Sequence, residues 1–222
     1  MALVSTQTAA LGLGFMAQLL FSSRIILQWI ESERAKRVLV PVRFWQISLI
    51  SSLLMILYGM LRHDPIILAA QLISYGIYIR NLQLLGEWGK LHGAFRAGAY
   101  TFPLAAIGWF VVGTSFFSLR TMLENRIPGG VLVLGAVGQT IFLLRFVYQW
   151  LYSERKGESV LPLGFWLVSL IGSALILAYA VLRRPVDYVL ILGNVPGIVV
   201  YARNVVLLRR EIKGLRVEEI EQ

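Results

Sequence analysis

Two arginines, Arg24 and Arg145, interrupt stretches of the chain that are otherwise apolar. Within a membrane-crossing helix an arginine costs at least ~2.5 kcal/mol at the bilayer centre, and less near the ends. Each therefore needs a reason. A planar guanidinium makes two parallel charged hydrogen bonds to a phosphate, so a pair facing one cavity would form an anion site. The alternative is that each side chain snorkels to lipid headgroups, since each lies about 9 Å from the expected end of its helix. The sequence leaves both readings open. Gln28 and Gln149 follow four residues later on the same helical face. They could bond a headgroup or orient the arginine.

The two arginines are one position of a repeated segment. FSSRIILQWIESERAKRVLVPVRFWQISL, from residue 21, is written again as IFLLRFVYQWLYSERKGESVLPLGFWLVSL, from residue 141. Residues 14–62 match the second half at an offset of 121 with 20 identities in 49 positions, and residues 64–85 at an offset of 123 with 6 in 22. A duplicated membrane unit implies a pseudo-symmetric bundle with its working site between the halves.

The elements that must carry these residues are membrane helices. The 222 residues are 57% hydrophobic and 15% charged, with a mean hydropathy of +0.70, whereas soluble domains carry roughly 25% charged residues. Runs of about 20 apolar residues place seven spans near 9–30, 44–61, 65–85, 98–119, 130–151, 165–182 and 188–208. Three spans per repeat is an odd number, so copies joined directly would face opposite ways. A linker helix restores the orientation. The expected fold is all-α, a 3+1+3 layout of parallel repeats: 9–85, a linker with the fourth span over 86–129, 130–208, and a cytoplasmic tail over 209–222. One side of the spans collects 14 lysines and arginines and the other 5, which puts the N-terminus outside and the C-terminus in the cytoplasm. Trp29, Trp45, Trp150 and Trp166 then fall near the cytoplasmic interface, where tryptophan is favoured. The N-terminus has no basic region or clear cleavage site, so no signal peptide is expected.

Other repeated polar residues have a structural and a functional reading. Ser32-Glu33-Arg34 and Ser153-Glu154-Arg155 suit a local ion pair or a loop-fixing bond, or ligand contact. Pro41, Pro162 and the helix starts behind them read as structural, with a hinge as the alternative. Arg80 and Asn81 recur as Arg203 and Asn204. They complement a helix C-terminus or add charge at the mouth of the site. Asp64 and Asp187 read as N-caps, and Gln18 and Gln139 suit interhelical bonds. Asn194 beside Pro196, between two glycines, could break the last helix and free backbone groups to line a cavity.

Several classes are excluded. There are no cysteines and only two histidines, so no metal or cofactor is expected. No nucleophile–base pair or phosphate loop appears, and no enzyme activity is expected. The net charge of +9 reflects cytoplasmic loops and anionic headgroups, not nucleic acid.

The pattern R-x-x-x-Q-W-x-x-S-E-R…P-x-x-F-W-x-x-S, followed by Y-x-R-N-x-x-L, resembles the lipid A biosynthesis N-terminal domain family. Arg24, Gln28, Trp29, Ser32, Glu33, Pro41, Phe44, Trp45, Ser48, Asp64, Pro65, Tyr78, Arg80 and Asn81 carry it in the first copy. In the second copy, Tyr188 stands where the first has Pro65. The resemblance implies a bacterial inner-membrane protein working in envelope glycolipid synthesis. The glycosyltransferase of longer relatives belongs to a separate soluble domain, for which this chain is expected to have no room. The family is also similar to the PQ-loop group, including the SWEET sugar transporters, in fold. Three functions follow as expectations. The first is a transporter or flippase for an anionic lipid-linked sugar or glycolipid phosphate. The second is a non-catalytic partner of a glycosyltransferase, and the third a SWEET-like carrier of free sugar. Membrane lipids are the expected partners.

Overall fold

The computed structural model describes residues 2–61, 65–113, 129–183, 186 and 188–220. Among them are seven α-helices and no strand. They are α1 (Ala2–Ala35), α2 (Val42–Leu61), α3 (Pro65–Leu84), α4 (Gly93–Gly113), α5 (Gly129–Lys156), α6 (Leu163–Leu182) and α7 (Tyr188–Ile220), with a 3-10 turn at Trp88–Lys90. Four of these, over Gly12–Ala35, Val42–Leu61, Gly129–Lys156 and Leu163–Leu182, are long and apolar enough to cross a bilayer. That is what a membrane protein requires. α3 and α7 are diluted by Gln71, Arg80 and Asn81 and by Asn194, Arg203 and Asn204.

Two helices differ from the expected spans in a way physics explains. α7 was expected to end at residue 208, yet it runs on to Ile220. The Arg-Arg-Glu-Ile-Lys run that follows is made of good helix formers, so loss of apolarity ends a membrane span without ending a helix. The expected break at Asn194–Pro196 does not occur, because Pro196 lies inside α7. Its missing N–H deprives the Leu192 carbonyl of a partner, but the turn on either side holds. The fourth span was expected over 98–119, whereas α4 starts at Gly93 and its expected end lies outside the described residues. Asp64 and Asp187 also lie outside them.

The chain divides into two compact units. One is Met1–Phe21 with Trp45–Arg126, and the other Ser22–Phe44 with Ile127–Gln222. The division does not follow the sequence repeat, because the C-terminal half of α1 belongs with the second repeat.

In the first unit α4 is tied to α3. The Tyr75 hydroxyl donates to the Ala99 carbonyl at 3.0 Å, and Gln83 to the Tyr100 hydroxyl at 2.9 Å. Trp88 packs edge-on against Tyr100 at 5.6 Å. The linker helix is thus packed against its neighbours in this unit. Trp45 is fully buried and tilted against Tyr78 at 5.9 Å.

The second unit repeats that contact. Trp166, 2% exposed, tilts against Tyr201 at 6.1 Å. Trp45 and Trp166 are therefore buried in the packing of their units, each filling the space beside its tyrosine. α5 packs on α6, and α6 on α7. The α5–α6 approach depends on small residues. A Cβ at Gly172 would lie 3.0 Å from the backbone nitrogen of Phe142, and one at Gly138 3.1 Å from that of Ile176. Close backbones of this kind are how membrane helices gain dispersion contacts.

Both repeats end their first helix with a residue in the left-handed region. Gly157 adopts φ 68° and closes the end of α5, with its N–H donating to Glu154 and that of Glu158 to Ser153. This is a Schellman cap, which favours glycine. At the matching place in α1 stands Lys36, with φ 54°. A Cβ is unfavourable in that region. Lys36→Gly is expected to stabilise the protein by up to ~1 kcal/mol. Gly172→Ala is expected to destabilise it by about 1–3 kcal/mol through overpacking. Thermal unfolding in detergent, comparing each variant with the wild type, checks both signs.

Candidate functional site

The second unit holds Arg24 and Arg145 within one small cleft. Arg24, Ile25, Gln28, Phe44, Arg145, Phe146, Phe165, Trp166 and Tyr201 line it. Both arginines are only 4% exposed. They sit on aromatic rings. The Arg145 guanidinium carbon is 3.2 Å from the centre of Phe142, 4.6 Å from Phe146, 5.8 Å from Phe165 and 5.9 Å from Tyr201. That of Arg24 is 5.1 Å from Phe44 and 5.3 Å from Phe146. Each desolvated cation–π contact is worth about 2 kcal/mol, which offsets part of the cost of burying the charge.

Sharing Phe146 places the two guanidinium carbons less than about 10 Å apart. At an effective dielectric of about 20, two like charges at that separation repel by roughly 1.7 kcal/mol. The described residues lining the cleft carry two positive charges and no negative one. An anion between them would turn that repulsion into attraction. The cleft spans about 240 Å³, part of it open to solvent.

The glutamines have another task. Gln28 Nε2 donates to Ser32 Oγ (2.8 Å), the Leu39 carbonyl (3.1 Å) and Asn204 Oδ1 (3.1 Å), and its Oε1 accepts from Asn204 Nδ2 at 3.1 Å. Asn204 also donates to the Val200 carbonyl. Ser32 Oγ accepts from Leu39 N–H at 3.0 Å. The second copy repeats the loop tie: Gln149 donates to Ser153 Oγ at 2.8 Å and the Val160 carbonyl at 3.0 Å, and Val160 N–H donates to Ser153 Oγ at 3.1 Å. Gln28, Ser32, Gln149, Ser153 and Asn204 are fully buried. The amide of Gln28 is thus committed to the loop and to α7.

A second layer lies beside it. Arg203 makes a forked ion pair with Glu33, Nε to Oε2 at 2.9 Å and Nη2 to Oε1 at 2.5 Å. The pair is partly exposed and joins α1 to α7, so it is long-range, where a local ion pair or a loop-fixing bond was the expectation for this segment. Glu154 is exposed. Pro162 caps α6 in an extended conformation, and Pro41 and Pro162 accept from Phe44 N–H and Phe165 N–H at 2.9 Å each. Asn194 does not line the cleft. Gln18 and Gln139 are exposed. Arg80 and Asn81 belong to the first unit, where Arg80 donates to Gln83 and Asn81 to the Ile77 carbonyl. Among the described residues no acidic or histidine cluster could hold a metal.

Phe142 and Phe146 are site residues that a search for polar motifs passes over. Phe146 has a visible signal all the same. It stands beside Arg145 where the first copy has Ile25, so the cation-binding ring is present in one copy only.

A helical protein with membrane-type spans, a duplicated unit and a buried arginine pair is the class that this geometry defines. The chain belongs to the Lipid A Biosynthesis N-terminal domain family, whose sequence model matches residues 13–83 and 134–206. It is similar to the lipid-A-disaccharide synthase of Chlamydia pneumoniae, 30% identical over 174 residues that cover 75% of this chain and 28% of that protein. The same-named proteins of Chlamydia muridarum (30% over 180 residues, 75% of this chain, 29% of that one) and Chlamydia felis (31% over 177, 75% and 28%) match alike. The chain thus spans under a third of these relatives. No solved structure matches it significantly.

Asn204→Ala leaves the buried Gln28 oxygen unsatisfied and is expected to cost about 1–3 kcal/mol. Glu33→Gln breaks a partly exposed ion pair and is expected to cost under ~1 kcal/mol. Thermal unfolding of the two variants side by side checks that order.

Proposed function

We propose that this chain is a transporter or flippase for a lipid-linked sugar or glycolipid phosphate in envelope glycolipid synthesis. The observation that carries this is the cleft lined by Arg24 and Arg145, two buried cations within about 10 Å of each other. A carrier for a neutral sugar needs neither. In this reading seven helices cross the bacterial inner membrane as two parallel three-helix repeats around α4. The N-terminus is outside and the C-terminus is cytoplasmic, as the lysine and arginine distribution favours. The small cleft would widen to pass a headgroup, and the α1–α7 contacts of Gln28, Asn204, Glu33 and Arg203 lie where such an opening would begin.

A second reading has its own support. The matched relatives are named lipid-A-disaccharide synthases, and the match spans about 28% of their length. A non-catalytic membrane module that holds the anionic glycolipid for a glycosyltransferase would use the same arginines for binding without translocation.

The test is translocation of a short-chain glycolipid phosphate by the purified chain in liposomes. Arg24→Ala and Arg145→Ala should each lower the rate at least about ten-fold, while unfolding temperature confirms that the variants are folded. Wild-type rates in the double variant overturn the proposal. Binding without translocation by the wild-type protein, together with a stable glycosyltransferase complex, favours the second reading.

A further inference from the structure

The polar groups lining the cleft share one property. Arginine and the tryptophan indole are donors only. The one lining amide, Gln28, has its oxygen occupied by Asn204 and its two hydrogens shared among Ser32, Leu39 and Asn204. Apart from the Tyr201 hydroxyl, the side chains facing the cleft offer hydrogens and accept none.

Trp166 adds a second observation. It lines the cleft, is 2% exposed, and its Nε1 has no hydrogen-bond partner among the described residues. Buried indole N–H groups usually find an acceptor, and an unmet one costs about 1–3 kcal/mol. The ring is held in place by Phe165, edge-on at 5.0 Å, and by Tyr201 at 6.1 Å. Ring and N–H are therefore positioned before any ligand arrives.

We infer that Trp166 Nε1 is a third ligand of the anion site, and that the site takes the oxygens of an ionised phosphoryl group while excluding sugar hydroxyls. The argument is one of matching. A hydroxyl brings a hydrogen as well as lone pairs and needs an acceptor, which this lining scarcely supplies. A phosphate dianion or diester brings unprotonated oxygens that accept only. Specificity within the cleft is thus for the charge, and the sugar is read elsewhere or not at all. The inference rests on the reading of the cleft as an anion site, and it adds Trp166 and the donor-only rule.

The experiment uses the full chain in lipid nanodiscs with ¹⁵N-labelled tryptophan. Trp166→Phe identifies the Trp166 indole resonance by its loss. Should that variant not fold, substitution of the other tryptophans one at a time assigns it. The probes are dihexanoyl phosphatidic acid, inorganic phosphate, and dihexanoylglycerol as the uncharged counterpart. The Trp166 N–H resonance should shift with phosphatidic acid and stay fixed with dihexanoylglycerol. Trp166→Phe should bind phosphatidic acid roughly ten-fold more weakly, the effect of one hydrogen bond to a charged group. An equal shift with inorganic phosphate supports the same chemistry with a free anion as the ligand. If phosphatidic acid binds, weakens with Arg145→Gln, and leaves the Trp166 resonance unmoved, the inference fails and the anion site stands. If the wild-type chain binds no phosphorylated probe, both fail.

Discussion

Two positive charges buried in an apolar unit are the constraint to which the rest of the second unit answers. Burying an ion costs several kcal/mol unless it is paired or otherwise stabilised. Here aromatic faces surround it, with Phe142, Phe146, Phe165 and Tyr201 around Arg145 and Phe44 and Phe146 near Arg24. Those rings must be rigid to serve. Phe142 lies on α5 where Gly172 lets α6 come into backbone contact. Phe44 and Phe165 sit at the start of α2 and α6, each held through a hydrogen bond to a proline carbonyl. The same turns that begin the helices thus set the floor of the site.

The repeat has diverged around this constraint. In the second copy the helix end takes glycine at 157, the close helix contact takes Gly172, and Phe146 supplies a ring beside the arginine. In the first copy those places hold Lys36, Ser51 and Ile25. The C-terminal half of α1 brings Arg24 and Gln28 into the second unit, where Gln28 meets Asn204 across 176 residues of sequence. Duplication supplied two arginines. The second unit uses both. In the proposed transport, the α1–α7 contacts couple a partly exposed ion pair to the buried amide pair, and both part together for the cleft to widen.

Much of this was legible in the sequence, for physical reasons. Hydropathy located the helices, because apolar runs of span length are rare in other contexts. The repeat paired Arg24 with Arg145, and the structure buries both in one cleft. Ser32 and Ser153 were readable as loop ties, because a hydroxyl just inside a helix end commonly bonds nearby backbone. Other features were not legible. Pro196 resembled a break, yet local sequence does not show how firmly the neighbouring turns hold a helix. The packing of Trp45 on Tyr78 and of Trp166 on Tyr201 was not legible either, since each pair lies far apart in sequence. Gln28 was readable as a ligand or as a support for the arginine, but its partner Asn204 lies far away in sequence. Phe142 and Phe146 passed as ordinary apolar residues because nothing local marks a ring that will meet a cation.

The central claim is that Arg24 and Arg145 form one anion site. A double-mutant cycle tests it most directly, with binding of dihexanoyl phosphatidic acid to the full chain in nanodiscs measured for the wild type, Arg24→Gln, Arg145→Gln and the double variant. The account predicts strong coupling: either single change removes most of the affinity, and the double variant is little worse than the weaker single one. Two independent, additive losses, or undiminished affinity in the double variant, would contradict it.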